Sequence, residues 1–319
     1  MIFTAIRAWR VYWVVPAAFA LGCGSTETGG ETMTCGAGTH PEGNTCVPDE
    51  VDGGAGGSGV GGGGSGGQAD SGGSGGTGGD ADSGPVDPSG DCPAGLPGPK
   101  LIEVSTPAGT KYCVDATEVT GAHYNDFLEA KHEVMTGQPP ECEGNTSYGD
   151  GWVQTYPTDT EPAFNVDWCD AYMYCQWAGK HLCGAVGGGA IVSAGDMNDP
   201  EKSEWYNACS SGGEYRYPYG DVYDPQACNT YDYGGVVPRP QDVPALPTCH
   251  GPHTPFDSVF DMCGNVLEWV NWQKGQERGV VGGSYMGGEV SCSAAADYLQ
   301  KWDVKTRTGG FRCCASMPE

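Results

Sequence analysis

The sequence predicts an α+β domain with little regular secondary structure, cross-linked by many disulfides and preceded by a disordered glycine-rich tether. Three observations support this prediction. The chain of 319 residues contains 16 cysteines, which is typical of exported proteins whose disulfides persist outside a reducing cytosol. Many of its 55 glycines fall in one tract, so the foldable part is shorter than the chain. The 9 Trp and 16 Tyr predict a core of aromatic side chains and loops.

The charge balance bears on partners more than on the fold. The formal net charge is −26 at pH 7. A surface this acidic repels phosphate groups, which argues against nucleic acid or anionic lipid as an electrostatic partner.

The N-terminus resembles an export signal. Residues 11–22 form an apolar run that is too short to span a bilayer but suits the core of a signal peptide over residues 1–22. The sequence Ala-Leu-Gly that precedes Cys23 resembles the lipobox of bacterial lipoproteins, which implies that Cys23 carries lipid. Gly24 is not Asp, and under the bacterial sorting rule this implies an outer-membrane or cell-surface location. The alternative is an ordinary signal peptide with an incidental cysteine.

Two segments then separate the N-terminus from the globular part. Within residues 23–50 we expect Cys35 and Cys46 to close a small disulfide loop with little other structure. Residues 51–91 are glycine- and serine-rich and nearly devoid of apolar side chains. Such a tract cannot offset the entropy of ordering a chain and is expected to be a flexible tether.

Residues 92–319 form the predicted globular domain. The apolar pattern predicts two early strands and two helices. Cys92 and Cys113 bracket the first strand pair and are expected to form a disulfide. Thr120 and Asp167 are the predicted N-caps of the two helices. The predicted elements are strands over residues 101–104 and 112–114, a helix after Thr120, a helix with an apolar stripe between residues 168 and 178, a helix around Trp205, and late strands over 280–285 and 310–313.

The stretch DSVFDMCGNVLEWVNW at residues 257–272 is the main candidate site. Asp261 and Glu268 flank a turn whose glycine and asparagine favour unusual backbone angles. Carboxylates and freed carbonyls on a bent loop are the oxygen ligands that Ca²⁺ prefers. The alternative is a plain turn that enters an aromatic-rich strand or helix.

Several motifs occur in the order typical of one family. YCVDATEVTGAHYNDFL, PAFNVDWCDAYMYCQWAGKHL, YPYG, DMCGNVLEW, VGGSY and the terminal GFR together resemble the formylglycine-generating enzyme, or sulfatase-modifying factor, domain. The resemblance covers residues 92–319. It implies the mixed fold of that family, which is related to C-type lectins.

The family's enzymes oxidise a substrate cysteine with O₂ and a copper(I) ion held by two thiolates five residues apart. Here Gly287 stands at the first of these positions, and Cys292 either stands at the second or matches a structural cysteine of the family, so at most one thiol is present. Soft thiolates in a pair suit Cu(I), so one thiol does not make the site and we expect no copper. Ser284 remains from the GGS motif, although a serine beside two glycines is more often a turn residue. Leu267 replaces a pocket tryptophan of the family.

The resemblance also implies structural metal sites and one disulfide. Its first calcium site corresponds to Asp261, Gly264, Val266 and Glu268. A second corresponds to Asn229 and Thr230, with Asp242 as a loosely aligned partner. The family's helix-to-strand disulfide implies the pair Cys175–Cys292.

Three further expectations concern the remaining cysteines. Cys249, His250, His253 and Cys263 could suggest zinc, but disulfides are favoured in an oxidising compartment. Cys313 and Cys314 are adjacent, and each should pair elsewhere because a vicinal disulfide is strained. If Cys23 is lipidated, fifteen cysteines remain and one thiol is left over.

The function that follows is a surface-tethered, non-oxidase member of this family that binds a peptide or a glycan, or serves the envelope structurally. The alternative is an oxidase of exported proteins with a site rebuilt around Cys292 and another thiol.

Overall fold

The computed structural model describes residues 89–150, 157–234, 238–293 and 299–318, together with two strands near the N-terminus. Contacts divide the chain into one unit over residues 1–78 and another over 79–319. The predicted signal peptide, Cys23, Cys35 and residues 51–88 of the predicted tether lie outside the described residues, so the Cys35–Cys46 pairing stays a prediction. None of the helices in the described part has the length and hydropathy needed to cross a bilayer.

The first unit contains an antiparallel hairpin of β1 (Thr39–Glu42) and β2 (Thr45–Pro48). The expectation of little other structure around Cys46 was therefore wrong, because Cys46 is part of β2 and lies opposite Pro41 of β1.

The second unit is built on two four-stranded sheets. The first has the order β3-β4-β10-β5 and is antiparallel. The second has the order β8-β7-β6-β9, with β9 parallel to β6. Their strands are β3 (Leu101–Ser105), β4 (Lys111–Asp115), β5 (His181–Leu182), β6 (Leu267–Lys274), β7 (Glu277–Val281), β8 (Leu299–Lys301), β9 (Gly309–Phe311) and β10 (Cys313–Ser316).

The late strands differ from the predicted bounds. The strand expected at 280–285 ends at Val281, because Gly282 and Gly283 take positive φ values of 80° and 66°. The strand expected at 310–313 is divided between β9 and β10, and Arg312 lies at the break.

Three α-helices confirm the predicted ones: α1 (Gly121–Lys131), α2 (Trp168–Trp177) and α3 (Glu204–Cys209). Thr120 and Asp167 are the N-caps of α1 and α2, and both form capping boxes. Gly179 follows α2 with a φ of 72°. Helix α2 is fastened to β6 by two indoles: Trp168 Nε1 donates to Val270 O at 3.0 Å, and Trp269 Nε1 donates to Val166 O at 3.0 Å. The predicted aromatic core is therefore present.

Six disulfides connect the described residues: Cys92–Cys113, Cys142–Cys169, Cys175–Cys313, Cys183–Cys314, Cys209–Cys292 and Cys228–Cys249. The prediction for Cys92–Cys113 is confirmed, and so is the separate pairing of Cys313 and Cys314. The predicted Cys175–Cys292 pair is wrong. Helix α2 packs on the sheet that holds β10, so Cys175 meets Cys313, whereas Cys292 lies beside the end of α3.

A buried charge cluster at the N-terminus of α2 should make stability depend on pH. Asp167 and Asp170 share the ammonium of Lys305, which lies 2.8 Å from Asp170. Two carboxyls face one cation, so one carboxyl retains a proton. Burial, and then the charge of Asp167, raises the pKa of Asp170 to about 8.

We expect the free energy of unfolding to fall as pH rises from about 4 towards 8.5. The unfolded Asp170 carboxyl titrates near pH ~3.9, so between these values the folded chain binds the extra proton, and the stabilisation is lost as pH passes the folded pKa. Urea denaturation across this range checks the prediction. The Asp170→Asn variant should show a flatter profile, and an equally steep profile in that variant would contradict it.

Candidate functional site

The DMCGNVLEW turn lies between α3 and the second sheet, and its backbone is unusual at three positions. Asp261, Gly264 and Asn265 have φ values of 59°, 81° and 51°. A Cβ on Gly264 would lie 2.5 Å from Asn229 O, so this position requires glycine. Asn265 holds the turn in place: its Oδ1 accepts from Asn229 Nδ2 and Gln241 N, at 3.0 and 2.9 Å. The turn then continues into β6, so the prediction of an aromatic-rich strand or helix after the turn is confirmed as a strand from Leu267 onward.

Glu268, a predicted calcium ligand, is buried in an ion pair. The Arg312 guanidinium donates to both of its oxygens, at 2.7 to 3.0 Å, and the indole of Trp205 donates to Oε2 at 2.7 Å. Arg312 also donates to Phe260 O at 2.8 Å and to Asp115 O at 3.1 Å. With this arrangement, Glu268 has its charge balanced by the protein itself.

Asp261 and Glu118 are the two carboxyls near this ion pair that are not balanced. Asp261 Oδ2 accepts from Ala245 N at 2.7 Å, while Oδ1 is buried without a partner among the described residues. Glu118 Oε1 accepts from Asn265 Nδ2 at 3.1 Å, and Oε2 is equally buried and unpartnered within the described part. Burial raises the pKa of Asp261 to about 7. Burial, and then the charge of Asp261, raises the pKa of Glu118 well above its ordinary value. Neither carboxyl forms an ion pair with a described residue, although the nearby charge of Arg312 lowers the pKa of both.

A bound cation would relieve this imbalance, since buried oxygens without partners are what Ca²⁺ satisfies. The donor set fits a cation at Asp261, with Glu118 nearby, better than at Glu268. Sequence reasoning missed Glu118; the only signal for it was a glutamate next to Val119 in the EVTG segment.

The second predicted calcium position is differently arranged. Asn229 Nδ2 donates to Arg239 O at 3.1 Å as well as to Asn265, and Asn229 O accepts from Asn265 N at 2.8 Å. Thr230 is buried beside it. Asp242, the suggested partner, accepts instead from Thr160 Oγ1 at 2.7 Å. Thr230 Oγ1 is buried without a hydrogen-bond partner among the described residues, and the second calcium site stays a prediction.

The predicted catalytic residues lie on the segment that follows β7. Cys292 is bonded to Cys209, the last residue of α3. Ser284 accepts from Met286 N at 3.3 Å and its carbonyl accepts from Gly287 N at 2.8 Å, as a turn residue does. Cys263 has no disulfide partner among the described residues, and it lies 4.0 Å from the Cys209 sulfur. Burial, and then the charge of Glu268, raises the pKa of the Cys263 thiol.

The cysteines and histidines that could suggest zinc do not form a metal-binding group among the described residues. Cys249 is bonded to Cys228, whereas His253 lies 3.2 Å from Glu214 and is exposed. Disulfide formation, the favoured alternative, is confirmed for Cys249.

Sequence reasoning also missed an exposed surface that includes part of the segment after β7. We call it the Tyr231 surface and define it by Tyr223, Tyr231, Asp232, Met286 and Glu289. Two hydrogen bonds hold the segments of this surface together. Tyr231 N donates to Gly287 O at 2.7 Å, and the Tyr223 hydroxyl donates to Asp232 at 2.8 Å. Tyr231 and Met286 are each 62% exposed. A cavity of about 190 Å³ opens beside it; its lining includes Asn229, Tyr231, Tyr233, Gln241 and Leu246.

Comparison with known proteins agrees with the fold. Residues 102–317, more than half of the chain, match the family model for the sulfatase-modifying factor enzyme 1-like domain. The chain therefore belongs to this family, which confirms the predicted formylglycine-generating-enzyme-like fold.

Two curated relatives are formylglycine-generating enzymes. The one from Mus musculus is 27% identical over 188 residues, covering 48% of this chain and 44% of the relative. The one from Thermomonospora curvata is 27% identical over 186 residues, covering 48% and 55%. The match thus spans about half the length of these relatives. Among solved structures, CarF aligns with a TM-score of 0.44 at 18% identity, over 65% of this chain and 87% of CarF.

Proposed function

We propose that this chain is a surface-tethered lipoprotein, anchored to the outer membrane of a bacterium through lipid on Cys23, whose domain binds a ligand and does not oxidise cysteine. The absence of oxidase activity is inferred from one observation, which is that the position of the family's copper site lacks a pair of free thiols. Cys292 is engaged in a disulfide with Cys209, and Gly287 offers no second thiol. Two free thiolates are a requirement for a Cu(I) pair, and this position supplies none. A further relative, from Bos taurus, is named as an inactive formylglycine-generating enzyme and is 28% identical over 122 residues.

The Tyr231 surface is the candidate ligand site. Exposed Tyr and Met side chains supply adaptable apolar contact, and Asp232 and Glu289 supply acceptors. Its cavity has room for one side chain or one sugar ring. A peptide with a basic residue suits the carboxylates and the net charge of −26, and Met286 favours peptide over glycan.

Binding to immobilised peptide and glycan arrays tests this proposal with the full chain. We expect the chain to retain basic peptides. The double substitution Tyr231→Ala and Met286→Ala should weaken their binding about tenfold or more. Val192→Ala is the matched control, because Val192 is 87% exposed elsewhere. Binding of glycans alone would show that the ligand is a sugar and not a peptide. Binding of neither class would overturn the proposed binding role.

The runner-up function is an oxidase rebuilt around Cys292. It is favoured by the free Cys263 thiol next to the Cys209–Cys292 disulfide. It requires O₂ consumption and formylglycine formation with a cysteine-containing peptide, both lost in Cys292→Ser. Mass spectrometry of the peptide after incubation with Cu(I) and O₂ decides between the functions, and we expect unmodified cysteine.

We also propose a structural Ca²⁺ at the DMCGNVLEW turn. Asp261 would supply a side-chain oxygen and Gly264 and Val266 would supply carbonyls, while Glu268 remains with Arg312. Addition of Ca²⁺ is expected to raise the thermal unfolding midpoint by several degrees, in proportion to the logarithm of its concentration. The Asp261→Asn variant should lose this shift. Calcium titration in differential scanning fluorimetry measures it, with Asp242→Asn as the control that should keep it.

A further inference from the structure

The two carboxylates of the Tyr231 surface differ in whether the protein balances their charge. Glu289 Oε1 accepts from the Arg216 guanidinium at 3.1 Å and so has its own cation. Asp232 Oδ2 accepts from the Tyr223 hydroxyl at 2.8 Å, and no cation of the described residues pairs with this carboxylate. A positively charged ligand would therefore pair with Asp232 and not with Glu289.

The backbone around Asp232 fixes the position of its charge. Tyr231–Tyr233 form one turn of 3₁₀ helix, in which Tyr233 N donates to Thr230 O at 3.1 Å. A Cβ on Gly288 would lie 3.1 Å from Asp232 Oδ2, so this side of the carboxylate packs against a residue without a side chain. Asp232 Oδ2 is thus engaged, and Oδ1 is the oxygen left for a ligand.

A second polar atom without a partner lines the cavity beside this surface. Thr230 is 7% exposed, and its Oγ1 is buried without a hydrogen-bond partner in the described part of the chain. Thr230 lines the cavity together with Tyr231 and Leu246. Burial, and then the hydrogen bond to Asp232, raises the pKa of Tyr223, while the nearby Thr230 side chain lowers it without reaching hydrogen-bond geometry. The Tyr223 phenol therefore lies next to both Thr230 and Asp232.

We propose that the cavity beside the Tyr231 surface receives the side chain of a lysine residue, an inference that rests on the peptide-binding role proposed above. The lysine ammonium donates to Thr230 Oγ1 and to Asp232 Oδ1. Its four-carbon stem packs on Leu246 and on the Tyr231 ring, as the apolar part of a lysine does while its charged end stays with polar groups. The lysine thus satisfies a buried hydroxyl and balances an exposed carboxylate.

The arrangement of the oxygens favours lysine over arginine. A guanidinium is a planar fork that suits both oxygens of one carboxylate, whereas an ammonium is a compact charge with three separate donors. Because Asp232 Oδ2 already accepts from Tyr223, the fork finds one free oxygen there. The ammonium uses that oxygen and the Thr230 hydroxyl at the same time.

A ligand series on the full wild-type chain tests the pocket. The probes are acetylated and amidated pentapeptides Gly-Gly-Xaa-Gly-Gly, in which Xaa is lysine, arginine or norleucine, and ligand-observed NMR titration gives each Kd. Norleucine keeps the apolar stem and lacks the ammonium. We expect the lysine peptide to bind about tenfold more tightly than either of the others, because hydrogen bonds to a charged group are the stronger ones.

The outcomes separate the pocket from the binding role. Retention of peptides on the arrays without a preference of the pentapeptides for lysine overturns the pocket and leaves the binding role. Retention of no peptide on the arrays overturns the binding role and the pocket with it.

The Thr230→Val variant tests the buried hydroxyl. Valine keeps the shape of threonine, and the domain should stay folded because the hydroxyl that is lost has no partner in the described part of the chain. The lysine peptide should bind about tenfold more weakly to this variant, while the norleucine peptide should bind as before. An equal loss for both peptides would show damage to the cavity as a whole and contradict the assigned hydrogen bond.

The Asp232→Asn variant tests the carboxylate in the same titration. The affinity for the lysine peptide should fall about threefold, a modest effect because Asp232 is exposed. Asp126→Asn is the matched control, since Asp126 is an exposed residue of α1 and the change in net charge is the same. An equal effect of the two substitutions would show that net charge alone attracts the peptide, and this would overturn the role of Asp232.

Discussion

Replacement of Arg312 by Met is expected to lower the free energy of unfolding by about 3–5 kcal/mol, because breaking a buried ion pair leaves an uncompensated charge behind. Arg312 is fully buried and donates to both oxygens of Glu268. Without it, Glu268 remains near the unbalanced carboxyls of Asp261 and Glu118. Urea denaturation followed by tryptophan fluorescence measures the loss.

Two controls separate charge from packing. Lys202→Met breaks an exposed pair with Asp196 and should change stability little. Adding Glu268→Gln to Arg312→Met should recover part of the loss, since glutamine keeps an acceptor for Trp205 and removes the charge. A double variant as unstable as Arg312→Met would show that lost packing, and not charge, sets the cost.

Removal of the two disulfides at the adjacent cysteines is expected to cost more together than the sum of the separate losses. Cys175–Cys313 and Cys183–Cys314 close loops with sequence separations of 138 and 131 residues. While one bond remains, the other closes only a small additional ring, so either removal should cost about 2–3 kcal/mol, whereas removing both also releases the long loop and should cost about 7–8 kcal/mol.

Alanine substitutions in pairs test this. The variants are Cys175→Ala with Cys313→Ala, Cys183→Ala with Cys314→Ala, and all four together, compared by urea denaturation. Cys92→Ala with Cys113→Ala serves as a control, because that bond closes a separate loop and should add its cost independently. Strict additivity for the adjacent pair would contradict the shared-loop account.

Much of the fold could be predicted from local patterns. The caps at Thr120 and Asp167, the apolar stripe of α2 and the first hairpin depend on neighbouring residues, and such signals are visible in a sequence. The disulfide partners of Cys175 and Cys292 were not predictable in this way, because pairing depends on how distant elements pack. The family resemblance implied a bond between Cys292 and Cys175, whereas Cys292 is bonded to Cys209 at the end of α3.

The site shows the same division. The turn at Asp261 and Gly264 was recognisable from its residue types. The role of Glu268 was not, because its partner Arg312 lies 44 residues further along the chain. Glu118 and Tyr231 were missed for a similar reason: a buried carboxyl or an exposed tyrosine has meaning only once its neighbours are known.

The position of β10 also governs when this domain can mature. Residues 313–316 form an inner strand of the first sheet, between β4 and β5, and carry the partners of both Cys175 and Cys183. Until residues 313–316 have been synthesised, the strand between β4 and β5 is missing, and Cys175 and Cys183 cannot form their disulfides. Pairings this distant in sequence form slowly, because a long loop must close before the contacts stabilise it. Folding should therefore finish after synthesis of the domain, in the compartment where its disulfides form.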